Sequence, residues 1–148
     1  MNSLNPIDII LVEDNINDAE LALRVLKKNI PAERIKHLED GEQVFEYFNL
    51  RQPHEIQQHH SVLPKVILLD LKMPKIDGIQ VLEAIKANPD LKTIPIVVLT
   101  SSKEDPDLKK CYELGVNSYI VKPVDFKQFM DVISDIGVYW VNYNQKPV

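Results

Sequence analysis

The sequence predicts an α/β fold, a five-stranded parallel sheet held between two layers of helices. Two observations predict it. Five short apolar runs alternate with five segments whose apolar residues recur at helical spacing. Three of those runs, Ile7–Val12, Val66–Leu69 and Pro95–Leu99, are apolar almost throughout, as strands buried on both faces are. With a helix in each connection, the strands run parallel and the crossovers are right-handed.

The first run, Ile7-Asp8-Ile9-Ile10-Leu11-Val12, ends in Glu13-Asp14-Asn15. From about Asn17 to Asn29, Ala22, Val25 and Leu26 predict a helix, with Asn17 or Asp18 as its cap and Pro31 beyond its end. Ile35-Lys36-His37-Leu38 is a weaker strand of alternating polarity. Asp40-Gly41 turns the chain into a helix that carries Val44, Phe45 and Phe48 and ends near Asn49. Residues 51–64 are polar and hold His54, His59 and His60. A loop of that length is functional or mobile. With no cysteine or carboxylate framework around them, the histidines read as solvated side chains. The third strand, Val66-Ile67-Leu68-Leu69, runs out in Asp70, and Met73-Pro74 breaks the pattern. A helix from Asp77 or Gly78 to Asn88 presents Val81, Leu82 and Ile85. Pro95–Leu99 is the fourth strand, followed by Thr100-Ser101-Ser102. Asp105-Pro106 starts the fourth helix, with proline where its missing N–H costs nothing. Leu108, Cys111 and Tyr112 are expected to point inward, and Gly115 to end the helix in the left-handed conformation. Ser118–Val121 is the fifth strand, ending in Lys122-Pro123. Asp125 caps a last helix with Phe129, Val132, Ile133 and Ile136 inward.

A chain of 148 residues predicts a single domain over residues 1–148, with its core over about 7–136. The net charge of -5 leaves no surplus of cations for phosphates and excludes nucleic acid as the main partner. No apolar run reaches membrane-spanning length, and the N-terminus lacks the apolar core of a secretory signal. One cysteine, Cys111, cannot pair within the chain, which fits a reducing cytoplasm. No output domain is expected after Ile136. Val138-Tyr139-Trp140-Val141 either extends the last helix onto the body or forms a partner interface.

The strand ends carry the chemistry. In a parallel sheet Glu13 and Asp14, Asp70, Thr100 and Lys122 all fall on one edge, where such sheets bind ligands. Three carboxylates at close range repel one another, and Lys122 alone cannot balance them. A hard divalent cation such as Mg2+ would, with oxygen ligands and retained waters. An aspartate nucleophile, a metal, an ammonium and a hydroxyl are together what a phosphoryl group needs.

The chain resembles the receiver domain of two-component response regulators. The residues that carry the resemblance are Leu11-Val12-Glu13-Asp14-Asn15, Asp70-Leu71-Lys72-Met73-Pro74 with Gly78, Val98-Leu99-Thr100, and Tyr119-Ile120-Val121-Lys122-Pro123. The resemblance covers about Ile7 to Ile136. It implies a flavodoxin-like sheet in the order 2-1-3-4-5. It implies Asp70 as phosphoacceptor from a sensor histidine kinase, with Asp14 on Mg2+ directly, Glu13 through water and Lys72 through its backbone carbonyl. Thr100 and Lys122 would contact the phosphoryl oxygens, Tyr119 would be the switch aromatic, and Lys122–Pro123 would be a cis peptide. Output would pass to a downstream protein target. A narrower resemblance is to the small regulators paired with cyanobacterial phytochromes, through the long loop, Asn88-Pro89-Asp90-Leu91-Lys92 and the aromatic end near Trp140. It implies a light-sensing kinase as donor and a homodimer.

Three rival readings remain at this point. An aspartyl-phosphate phosphatase or phosphotransferase generally places a second Asp two residues after its nucleophile, where this chain has Lys72. Without that base, water attack is slow, which suits a signal and not an enzyme. A flavodoxin-type cofactor binder needs Gly, Ser or Thr after the first strand, where Glu13-Asp14 would repel an anion. A receiver-like scaffold that takes no phosphate is the third.

Overall fold

The computed structural model describes residues 6–51 and 62–145. His54, His59 and His60 lie outside the described residues. The elements run β1 (Ile9–Val12), α1 (Ile16–Leu26), β2 (Ile35–Leu38), α2 (Gly41–Tyr47), β3 (Val66–Leu69), α3 (Gly78–Ala87), β4 (Ile96–Thr100), α4 (Asp105–Glu113), β5 (Ser118–Val121) and α5 (Phe126–Gly137). The sheet has the order β2-β1-β3-β4-β5, and each neighbouring pair is parallel.

The two-residue period of the strands divides the core. Ile10, Val12, Ile67, Leu69, Ile96 and Val98 face α2, α3 and α4, where Val44, Val81, Leu82, Ile85 and Cys111 close over them. Ile9, Leu11, Val66, Leu68, Val97 and Leu99 face α1 and α5, where Ala22, Val25, Phe129 and Ile133 pack. Ile10 is fully buried in the first of these layers. Ile10→Val removes one methylene there and is expected to lower stability by about 1 kcal/mol. A shifted urea midpoint at unchanged m-value would show it.

Several helix ends are set by side chains. Asp77 and Gln80 form a reciprocal capping box at α3. Asp40 and Asp125 each accept from the third backbone N–H of their helices. Gly115 takes φ +90 after α4, where any side chain would be strained. The cap of α1 differs from expectation. Asn15, not Asn17 or Asp18, accepts the N–H of Asp18 at 3.0 Å. Asn15 leaves β1 with extended backbone, so its short amide reaches the first turn and the helix starts at Ile16. The helix also ends earlier, at Leu26, before a 3-10 turn over Ala32–Arg34.

In α4, Cys111 is buried as expected, but Leu108 and Tyr112 are 37% and 53% exposed. The helix touches the sheet along a single line. Tyr112 lies about 100° around the axis from Cys111, and so turns to solvent. The last helix continues into a π-helical turn, Val138–Tyr143, which docks on the body. Val141 is buried, Trp140 packs on the α1–α5 layer, and the Lys65 ammonium donates to the Val141 carbonyl at 3.0 Å. Tyr139 and Tyr143 face outward.

Candidate functional site

The site follows from strand register. Val12 pairs with Leu69 and with Leu38, so the next residues of β1 and β3, Glu13 and Asp70, emerge side by side. The Asp70 N–H donates to the Val12 carbonyl at 3.1 Å, which extends the ladder to the acid itself. Thr100 pairs with Val121, and the Lys122 N–H donates to the Thr100 carbonyl at 2.7 Å. The backbone ladder thus brings the expected strand ends to one edge.

Carboxylate oxygens of Glu13, Asp14 and Asp70 lie within 4.8 Å of one another. Glu13 and Asp70 are buried and Asp14 is exposed. Two inner oxygens and one at the water's edge suit a hard divalent cation that keeps part of its hydration shell. The donor set therefore fits the expected metal.

The counter-charge is Lys122. Its ammonium lies 2.7 Å from Glu13 Oε1, 2.9 Å from Asp18 Oδ2 and 3.5 Å from Asp70 Oδ2. Burial alone would lower the Lys122 pKa, but the hydrogen bonds it donates to Glu13 and Asp18 outweigh it and hold the ammonium charged. Burial pushes the Glu13 carboxyl up to about 7, against the pull of Lys122. Glu13 Oε2 also accepts the Asn15 N–H at 3.0 Å, and the Glu13 carbonyl is 2.9 Å from the His37 ring. Asp70 Oδ1 accepts a long 3.4 Å bond from the Lys72 N–H. The Asp70 carboxylate is therefore less tightly bonded than that of Glu13.

Thr100 is fully buried, and its hydroxyl oxygen accepts the Ser102 N–H at 3.3 Å. The Tyr119 hydroxyl donates to the Ser102 carbonyl at 3.1 Å. Burial raises the Tyr119 pKa above its ordinary value. The Lys72 ammonium pairs with Asp107 at 3.1 Å, and the Ser102 hydroxyl donates to the same carboxylate at 2.6 Å. The Ser102 hydroxyl, with Lys72, holds the Asp107 pKa below the usual carboxylate range. A depressed carboxylate contributes stability that is complete above its unfolded pKa of about 3.9 and fades as pH falls through the folded value. Asp107→Asn is therefore expected to lower the thermal midpoint at pH 7, with the gap to wild type closing toward pH 3. Thermal melts across that range would check it.

One expectation about the site needs correction, and two partners were not foreseen. Among the described residues no peptide bond is cis, so Lys122–Pro123 is trans. A tertiary amide keeps a modest trans preference, and here the Lys122 side chain reaches its carboxylates in that form. Asp18 and Asp107 belong to the site's ion pairs although neither ends a strand. The sequence offers Asp18 only as a candidate cap and marks nothing at Asp107. Their partners lie 104 and 35 positions away in sequence.

The sequence model of the response regulator receiver domain family matches residues 9–134. The chain belongs to this family. The receiver domain is 40% identical over 143 residues to the probable methanogenesis regulatory protein FilR2 of Methanothrix harundinacea, covering 97% of this chain and 89% of that protein. It is 39% identical over 133 residues to the response regulator Rcp1 of Synechocystis, covering 90% and 88% of the two. Among solved structures, the phosphorylated cyanobacterial phytochrome response regulator RcpA superposes with TM-score 0.83 at 35% identity, covering 97% of this chain and 100% of that one. The Mn(2+)-bound form of Rcp1 superposes with TM-score 0.81 at 40% identity, with the same coverage. Receiver domains bind a divalent metal and work with sensor histidine kinases in two-component signalling, and the strand order found here is theirs. No helix among the described residues is long and apolar enough to cross a membrane.

Proposed function

We propose that this receiver domain takes a phosphoryl group on Asp70 from the phosphohistidine of a sensor kinase, with Mg2+ as its metal. The observation that carries the reading is Asp70 itself, a buried carboxylate at a strand end that shares Lys122 with Glu13 and lies within reach of Asp14. Glu13, Asp14, Asp70 and the Lys72 carbonyl would hold the metal. When bound, the metal offsets charge on the phosphoryl oxygens as they pass. The P–N bond of the donor breaks as an O–P bond to Asp70 forms, and the imidazole nitrogen keeps the electron pair. Lys122 and Thr100 hold the transferred oxygens.

The phosphoryl group adds about -1.5 to -2 charges beside those two side chains. Thr100 moves toward it, its bond from Ser102 yields, and Tyr119, tied to the Ser102 carbonyl, follows. The surface of α4, β5 and α5 then changes for a protein partner. The protein is a switch and not a turnover enzyme, because Lys72 stands two residues after Asp70 and its side chain is held by Asp107. No carboxylate base is poised there to drive water onto the acyl phosphate.

Rcp1, RcpA and two bacteriophytochrome response regulators, at 42% and 43% identity, support a phytochrome-type kinase as donor. The outward Tyr139 and Tyr143 give such a regulator a face for a second copy of the chain. Incubation with acetyl phosphate, followed on a gel that retards phosphoproteins, tests the reading. A retarded band is expected with Mg2+ and not with EDTA. Folded protein that gives no band with acetyl phosphate or with phosphorylated kinases would favour the scaffold reading.

A further inference from the structure

Lys122 is bonded more closely to Asp18 than to the phosphoacceptor, at 2.9 Å against 3.5 Å. Its three N–H groups meet three carboxylates, one just past β1, one in α1 and one just past β3. Two of those carboxylates, Glu13 and Asp70, also belong to the oxygen group that suits a divalent cation, and Asp18 does not. A divalent cation held there would share the lone pairs of Glu13 and Asp70 and would repel the ammonium beside them. Lys122 must then give up its shortest bond. Asp18 is the one of its three partners that stays free of the metal. It occupies the third position of α1 because Asn15, one residue before the helix, takes the capping role. The lysine side chain is only 11% exposed, so an ammonium driven off Glu13 has little access to water in place of a carboxylate.

We infer that Asp18 is a positioning residue for Lys122, holding the ammonium at the rim so that the divalent cation and the lysine occupy the site together. The inference rests on the metal reading given above. With Asp18 absent, the ammonium has only Glu13 and Asp70 as partners and competes with the cation for them. With Asp18 present, the ammonium keeps one bond and remains beside Asp70.

The test is Mn2+ binding, followed by the EPR signal of the free ion, in four full-length proteins: wild type, Asp18→Asn, Lys122→Gln and the double variant. Asp18 lies on an exposed first turn, and its side chain is 34% exposed, so the change opens no cavity. Asp18→Asn is expected to weaken Mn2+ binding roughly fivefold, in the range of coupling seen within one ion-pair network. Lys122→Gln should tighten it. In the Lys122→Gln background the Asp18→Asn change should leave the affinity within about twofold, because the lysine it acts through is gone. An unchanged affinity in Asp18→Asn overturns the inference. So does an equal loss in both backgrounds, which would make Asp18 a through-space charge only. A wild type that takes no Mn2+ overturns the metal reading itself, and the inference with it.

Discussion

Asp70→Asn is expected to abolish phosphorylation by acetyl phosphate and by any kinase, while the protein remains folded. An amide nitrogen or oxygen is no nucleophile toward a phosphoryl donor. Stability should be retained or should rise. Asp70 is one of three carboxylates within 4.8 Å, so its neutralisation relieves repulsion while Lys122 keeps Glu13 and Asp18. The paired readout is band retardation on the phosphoprotein gel and the urea midpoint. Loss of phosphorylation together with a large loss of stability would mean that Asp70 is structural.

Gly78→Val is expected to harm both fold and site. A Cβ at Gly78 would meet the carbonyl oxygen of Asp70 and would stand 2.6 Å from the Leu71 Cα. Both neighbours are backbone, so no rotamer change can make room. The Gly78 N–H also donates to the Leu71 carbonyl at 2.9 Å, pinning the start of α3 to the end of β3. Relief must come from moving the segment that aims Asp70. The expected loss is roughly 3 kcal/mol, at the upper end for overpacking, with phosphorylation slowed beyond what the unfolded fraction explains. Urea unfolding and a time course on the same gel would separate the two effects. An unchanged midpoint would show that α3 can retreat from the strand end without cost.

Strands and strand ends were legible because their signals are local. β1, β3 and β4 are continuous apolar runs, and each gives way at its carboxyl end to a polar residue, Glu13, Asp70 or Thr100. Once the strands are parallel, Glu13, Asp14, Asp70, Thr100 and Lys122 share an edge by topology alone. The cap of α1 was misplaced because Asn15, Asn17 and Asp18 are all good caps, and only the exit angle of β1 decides between them. Leu108 and Tyr112 misled because apolar spacing does not state how much of a short helix the sheet can cover. Asp18 and Asp107 escaped because their roles depend on partners far off in sequence. The family's cis bond at Lys122–Pro123 did not carry over to this structure.

The phosphoryl group is expected on Asp70. Peptide mapping by mass spectrometry, after reaction with acetyl phosphate and Mg2+ and reductive trapping of the acyl phosphate, tests it most directly. One modified position per chain is expected, in the peptide that carries Asp70. Modification at Thr100, Ser101, Ser102 or a histidine, with Asp70 untouched, would contradict it.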